Sequence, residues 1–205
     1  MIDLPALLKK DVSRETMEKL DRLSRMIAAE NEQQNLVASS TVGDMWHRHI
    51  VDSAQLMRFG PDLGSWLDIG SGAGLPGLVI AILRSGPVTL VEPRRLRADF
   101  LTRAVLDLYL TNVTVEPCKV EACRGLFDVI SARAVARLGD LFAMAHHLSH
   151  SGTCWIMPKG RSSAIELAEA RRSWQGRFRV EPSVTAEDAA IIVGSGVVAR
   201  HKGRG

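Results

Sequence analysis

The residues with the most chemical content lie in one run, Trp66-Leu67-Asp68-Ile69-Gly70-Ser71-Gly72-Ala73-Gly74-Leu75-Pro76-Gly77. A short apolar stretch with strand character enters a glycine-rich turn, and a helical pattern leaves it. Glycine tolerates positive φ and lets a ligand approach the main chain closely. The first N–H groups of the helix that follows have no partner within that helix. Asp68 stands at the end of the first apolar run, and a second carboxylate, Glu92, ends the next one. A loop of this kind holds a small ligand, and the two acids say something about its charge.

Two ligand classes use such a turn. Gly72-x-Gly74-x-x-Gly77 has the spacing of the dinucleotide fingerprint, which also wants an acidic residue about 20 positions on, and Glu92 is available. The turn proper, however, begins at Gly70, so the matching triplet is displaced into the helix, and Pro76 falls in its first turn. The alternative is an acidic residue at the strand end followed by Gly70, Gly72 and Gly74. That pattern resembles the S-adenosylmethionine loop of Rossmann-like methyltransferases and is the favoured reading. With no pyrophosphate to hold, Asp68 can face the cationic amino end of the ligand. Glu92 can accept both hydrogen bonds of a ribose cis diol.

The elements that must position these residues follow from apolar spacing. Ser13 can cap a helix whose buried face is Met17, Leu20, Leu23 and Ile27. A second helical pattern runs from 42 to 59. Strands are expected at Trp66–Ile69, Val88–Val91, Val113–Val115, Phe127–Ser131 and Thr153–Met157, with helices near 75–84, 94–110, 137–148 and 161–173. Such alternation implies parallel strands covered by helices. Phe178–Thr185 and Ala189–Ala199, with no helix between them, read as a closing antiparallel hairpin. The expected fold is α/β, a Rossmann-like class I methyltransferase fold. It has a seven-stranded, mostly parallel sheet with helices on both faces and an N-terminal helical cap. Residues 1–60 form the cap and 61–205 the ligand-binding domain, in one compact unit.

Composition narrows the class. The chain has 205 residues, 46% hydrophobic and 24% charged, with net charge +3. No apolar run approaches the length of a membrane span, about 18 residues, and the N-terminus lacks a secretory pattern. Three cysteines without a CxxC pair suit reduced thiols in a cytoplasmic protein. Basic residues cluster at Arg94, Arg95 and Arg97, at Arg171, Arg172, Arg177 and Arg179, and from Arg200 to Arg204, modestly favouring a polyanionic partner. His47 and His49 point to different sides of a helix, and His146 and His150, four apart on one helical face, lack the surroundings of a zinc site. No metal is expected.

At larger scale the sequence resembles one family, the bacterial 16S ribosomal RNA 7-methylguanosine methyltransferases, also called glucose-inhibited division protein B. The resemblance rests on Asp68 to Gly77 with its Leu-Pro-Gly extension, and on four further blocks in order. These are Asn35-Leu36, Arg48-His49-Ile50-Val51-Asp52-Ser53, Ile130-Ser131-Ala132-Arg133-Ala134 and Lys159-Gly160. It implies methyl transfer from S-adenosyl-L-methionine to N7 of a guanine in 16S ribosomal RNA or a 30S particle. It also implies cofactor contacts at Gly70, Leu75, Val120, Glu121 and Arg133. Asp68, Ser71, Gly72, Gly74 and Glu92 complete the expected cofactor set. Guanine N7 carries a free lone pair, so no base is needed, and catalysis rests on alignment. Arg133 is the expected catalytic residue, through the cofactor carboxylate, a phosphate or guanine O6; its structural alternative is an ion pair with a nearby carboxylate such as Asp128. Arg48, His49 and Lys159 are the expected RNA contacts, with Arg48, His49 and Asp52 equally able to tie the cap to the sheet. A monomer is expected.

Overall fold

The computed structural model describes residues 2–200. Seven strands form one sheet in the order β3-β2-β1-β4-β5-β7-β6. β1 (Trp66–Ile69), β2 (Val88–Val91), β3 (Val113–Glu116), β4 (Phe127–Ala132) and β5 (Ser149–Lys159) run parallel. β7 (Ala190–Ala199) inserts antiparallel between β5 and β6 (Trp174–Pro182). The fold class and the terminal hairpin agree with the sequence expectation, although β6 begins four residues before the expected Phe178. The order of winding reverses between β1 and β4, and the carboxyl ends of β1, β2 and β4 share one edge, where open α/β sheets place ligands.

Strand alternation divides the core into two layers. Trp66, Val88, Leu90 and Val129 face one side, where α4 (Gly77–Leu83) and α5 (Arg95–Asp107) pack. Leu67, Ile69, Val91 and Ile130 face the other, with α6 (Leu138–Ala145) and α7 (Ser163–Ala170). Of these strands, β1 is buried throughout, as expected of a central parallel strand covered on both faces.

The N-terminal segment contributes a short α1 (Leu4–Leu8), unforeseen from the spacing, and α2 (Arg14–Glu30). Ser13 caps α2 by accepting from Thr16 N–H. The face formed by Leu20, Leu23 and Ile27 is fully buried and joins the same apolar cluster as Trp66 and Leu78. The pattern expected as one helix from 42 to 59 is broken. A 3-10 turn (Ser39–Asp44), a π-helical turn (Trp46–Val51), α3 (Asp52–Ala54) and a second 3-10 turn (Gln55–Arg58) follow one another. π-turns inside helices recur at functional sites. His146 and His150 are not on one helix face: His146 ends α6 and His150 lies in β5, beside Asp128 at 3.3 Å. Among the described residues, no group of histidine, cysteine and acidic side chains could hold a metal.

Leu23→Ala should cost about 2–5 kcal/mol of unfolding free energy and shift a single denaturation transition. Two separate transitions, with only one shifted, would show that the N-terminal helices fold apart from the sheet.

Candidate active site

The glycine turn is built around Asp68, whose side chain is wholly buried (0% exposed). Its Oδ2 accepts from Gly77 N–H at 3.1 Å and its Oδ1 from the Ser131 hydroxyl at 2.8 Å. Ser131 Oγ in turn accepts from Trp66 Nε1 at 2.9 Å. The N–H at the start of α4, expected to face a ligand, is therefore taken by Asp68. Burial pushes the Asp68 carboxyl up to about 6, against the lowering effect of its hydrogen bonds to Ser131, Ser71 and Gly77. Ser71 closes the turn, its hydroxyl donating to the Asp68 carbonyl and its carbonyl accepting from Gly74 N–H.

The glycines of this turn do different work. A Cβ on Gly77 would lie 2.2 Å from Leu90 and 2.8 Å from Asp68 Oδ2, so this glycine lets α4 pack on β1 and β2. At Gly72, with φ +53, a Cβ would meet nothing closer than 3.7 Å. Gly72 N–H donates to Glu92 Oε2 at 2.9 Å, and Arg94 N–H donates to Glu92 Oε1 at 2.9 Å. Glu92 is 3% exposed. Each of its oxygens keeps an acceptor site beyond these two bonds, which is the chemistry a ribose cis diol requires. The residues present fit the nucleoside end of S-adenosylmethionine. After β3 the chain makes a 3-10 turn over Val120–Ala122, with Val120 buried and Glu121 exposed.

Beside this turn, past the end of β4, lies a cleft of about 560 Å³. Arg133 lines it, but not against Asp128. Its Nη1 donates to Asp52 Oδ2 at 3.2 Å, while Asp128 binds Ser65 and His150. Arg133 Nη2 lies 3.4 Å from His49 Nδ1. The Thr41 hydroxyl donates to the Ala38 carbonyl, so it accepts from His49 Nε2–H at 2.8 Å and leaves Nδ1 free to accept from Arg133. Burial first, and the Arg133 charge second, hold His49 down to about 4, so the ring is uncharged at neutral pH. Asp52 Oδ1 also accepts from Gln55 and from the Thr185 hydroxyl in the β6–β7 turn. Val135, two residues past Arg133, packs against Gly70 and joins cleft to loop.

Thus the structure brings Arg133, His49 and Asp52 together and lines the same cleft with exposed Arg48. That segment ties the N-terminal helices to the sheet through Asp52 and His49, and it lines the cleft. Gly70, Gly72, Glu92, Val120 and Glu121 lie along the strand edge outside the cleft lining. Lys159 does line the cleft, but its ammonium turns inward to Glu166 Oε2 and the Ala136 carbonyl, each at 2.8 Å. Thr41, Gln55 and Thr185 carried no sequence signal, because ordinary polar residues acquire a role only from neighbours up to 133 positions away.

A family model described as rRNA small subunit methyltransferase G matches residues 16–190. The chain belongs to this family. A ribosomal RNA small subunit methyltransferase G of Rhizorhabdus wittichii is 48% identical over 97% of the chain and 94% of the relative. That of Zymomonas mobilis is 46% identical over 89% and 86%. The fold is that of class I methyltransferases. A SAM-dependent methyltransferase from Aquifex aeolicus superposes with TM-score 0.58 at 13% identity, over 76% of this chain and 93% of that one. The ribosomal protein L11 methylase of Lactobacillus delbrueckii gives 0.57 at 14%, over 74% and 77%. Family membership decides against the dinucleotide reading of the glycine triplet.

Two outcomes test the site. Gly72→Ala meets no steric obstacle from the protein, and its positive φ costs about 1–2 kcal/mol; the variant should stay folded while its affinity for S-adenosylmethionine, read by calorimetry, falls at least about tenfold, or 1.4 kcal/mol. For Asp68, a folded pKa above the usual 3.8 means that its contribution to stability is complete below 3.8 and lost as pH rises through about 6. Denaturant titrations should therefore show wild type gaining on Asp68→Asn as pH falls from about 6 to below 3.8; parallel curves would contradict the burial argument.

Proposed function

We propose that this protein is an S-adenosylmethionine-dependent methyltransferase that modifies N7 of a guanine in 16S ribosomal RNA, as naked RNA or in a 30S particle. The observation that carries the reading is the pairing of a nucleoside-compatible loop with an arginine-and-carboxylate cleft, in a chain of this family. The same reading makes it a cytoplasmic monomer. Its cysteines are free thiols, and among the described residues no helix is long and apolar enough to cross a membrane.

The turn Gly70, Ser71, Gly72, Gly74 and Leu75 forms the floor of the cofactor site, with Glu92 at the ribose and Val120 and Glu121 at the adenine. Asp68 acts from beneath the floor, holding the turn in shape. When bound, S-adenosylmethionine supplies an electrophilic sulfonium methyl group. Arg133 holds the cofactor carboxylate or guanine O6 from the shared boundary of loop and cleft. N7 needs no deprotonation, which agrees with a cleft whose one histidine is uncharged and occupied with Arg133. Methylation leaves positive charge on the purine, and among the described residues no charged histidine stands in the cleft lining to oppose it. The protein's remaining contribution is alignment. Arg48 at the cleft mouth and, if its ion pair with Glu166 opens, Lys159 contact RNA phosphate.

Purified protein with methyl-labelled S-adenosylmethionine should place 7-methylguanosine in 16S ribosomal RNA, and cells lacking the gene should lose that mark; transfer to a metabolite with none to RNA would overturn the reading. Arg133→Ala should lower turnover about 10²-fold in a protein that still folds, with the melting temperature lowered only as far as loss of the Asp52 ion pair requires. Unchanged turnover would remove Arg133 from the site.

A further inference from the structure

The arginines at 171–179 have no part in the cofactor loop or the cleft, and the fold gives them a common place. β6 is one of the two edge strands of the sheet. Arg177 and Arg179 alternate along it with Phe178, whose ring turns toward the layer containing Phe142. Arg177 and Arg179 therefore project on the opposite face. On that face Arg179 meets a residue from far away in sequence: Arg58, at the end of the last helical turn of the N-terminal segment. The Arg58 and Arg179 guanidinium groups lie 5.3 Å and 5.9 Å from the centre of the same Phe59 ring. Arg171 lies 5.7 Å from the Phe178 ring, and Arg172 is exposed beside it.

This concentration of charge is poorly compensated. Arg179 pairs with Glu181 at 3.0 Å. Among the described residues, no carboxylate lies within 4.0 Å of the Arg58, Arg171, Arg172 or Arg177 guanidinium. A chain whose net charge is only +3 thus places five arginines on or beside one strand, and among the described residues only one of the five is in an ion pair. Like charges gathered along one strand repel, and of these five arginines only Arg179 gains an ion pair among the described residues. The rim is also continuous with the cleft. β6 runs from Arg177 and Arg179 to Pro182, and the next residues, Ser183 and Thr185, line the cleft. Arg58 follows the cleft residue Gln55 by one helical turn.

We infer that the β6 edge, with Arg58, Arg177 and Arg179 at its centre, is a second RNA contact, which grips backbone phosphates outside the target nucleotide and feeds that nucleotide into the cleft. The inference rests on the reading of the cleft as an RNA methyltransferase site. Planar guanidinium groups suit phosphate oxygens, and the Phe59 ring against Arg58 and Arg179 limits their freedom without neutralising them. Such contacts add affinity and salt dependence but no sequence discrimination.

The test is a triple variant, Arg58→Gln, Arg177→Gln and Arg179→Gln, compared with wild type and with Arg14→Gln, Arg22→Gln and Arg25→Gln, which removes the same charge from the outer face of α2. Binding to 16S ribosomal RNA is measured across salt concentrations, alongside S-adenosylmethionine affinity and methyl transfer. The rim variant should raise KM for RNA at least tenfold. It should also make the slope of log K against log salt shallower by about 2–3, because each phosphate left unneutralised takes away about 0.7–0.9. Its kcat at saturating RNA and its cofactor affinity should match wild type, and the α2 variant should keep the wild-type slope. Unchanged RNA affinity and slope in the rim variant would overturn the inference. So would a rim variant that merely self-associates in sedimentation while binding RNA normally, since the arginines would then serve only to protect an edge strand. Failure of wild type to methylate RNA would count against the cleft reading and is seen separately from the rim's effect on binding.

Discussion

A carboxylate with no access to water sits where the sheet meets the glycine turn, and the site depends on how that carboxylate is satisfied. Asp68 accepts one hydrogen bond from α4 and one from β4, and the β4 hydroxyl is held by the Trp66 indole on β1. An unpaired buried charge is expensive, so these bonds fix three elements relative to one another at the edge where the ligand must lie. Between the fixed points the chain has only residues 69–76 in which to turn. The turn is closed by Ser71 and by the N–H groups of Gly70 and Ser71, which donate to the Val91 carbonyl. The burial of Asp68 is what a rigid loop costs. Its raised pKa records how little solvent reaches it.

The second carboxylate plays the complementary part. Glu92 is nearly as buried, yet it accepts only main-chain N–H groups, one on each oxygen. It shapes the loop from the other side while keeping acceptor capacity. One acid therefore holds the turn and the other remains able to bind, although in sequence the two look alike: each ends a short apolar strand.

The cleft is assembled on another principle. Its polar groups come from the irregular helical segment after α2, from the end of β4 and from the β6–β7 turn, and hydrogen bonds between them join these three parts of the chain. The fixed tautomer of His49, the ion pair of Arg133 with Asp52 and the Thr185 hydroxyl on the same carboxylate make one connected network. Such a network suits methyl transfer to a lone pair, because it holds groups still and asks none of them to accept a proton.

How much of this was legible beforehand differs from element to element. The limits of β1 and β2, the Ser13 cap, the buried face of α2 and the antiparallel close of the sheet follow from local spacing, since apolar period and capping chemistry act over a few residues. The glycine turn was legible for the same reason. The break of residues 42–59 into 3-10, π and α turns was not, because the apolar period there is helical throughout and does not record the packing against α2 and α4. Nor could the sequence say that Arg133 would pair with Asp52 rather than Asp128, that Lys159 would turn inward to Glu166, or that Arg58 would join Arg177 and Arg179. Sequence by itself determined the alternation of strands and helices from β1 onward, the loop and its ligand class. Tertiary structure decided which charged groups are neutralised and which stand free, because long charged side chains take their partners from whatever the folded chain brings within a few ångströms.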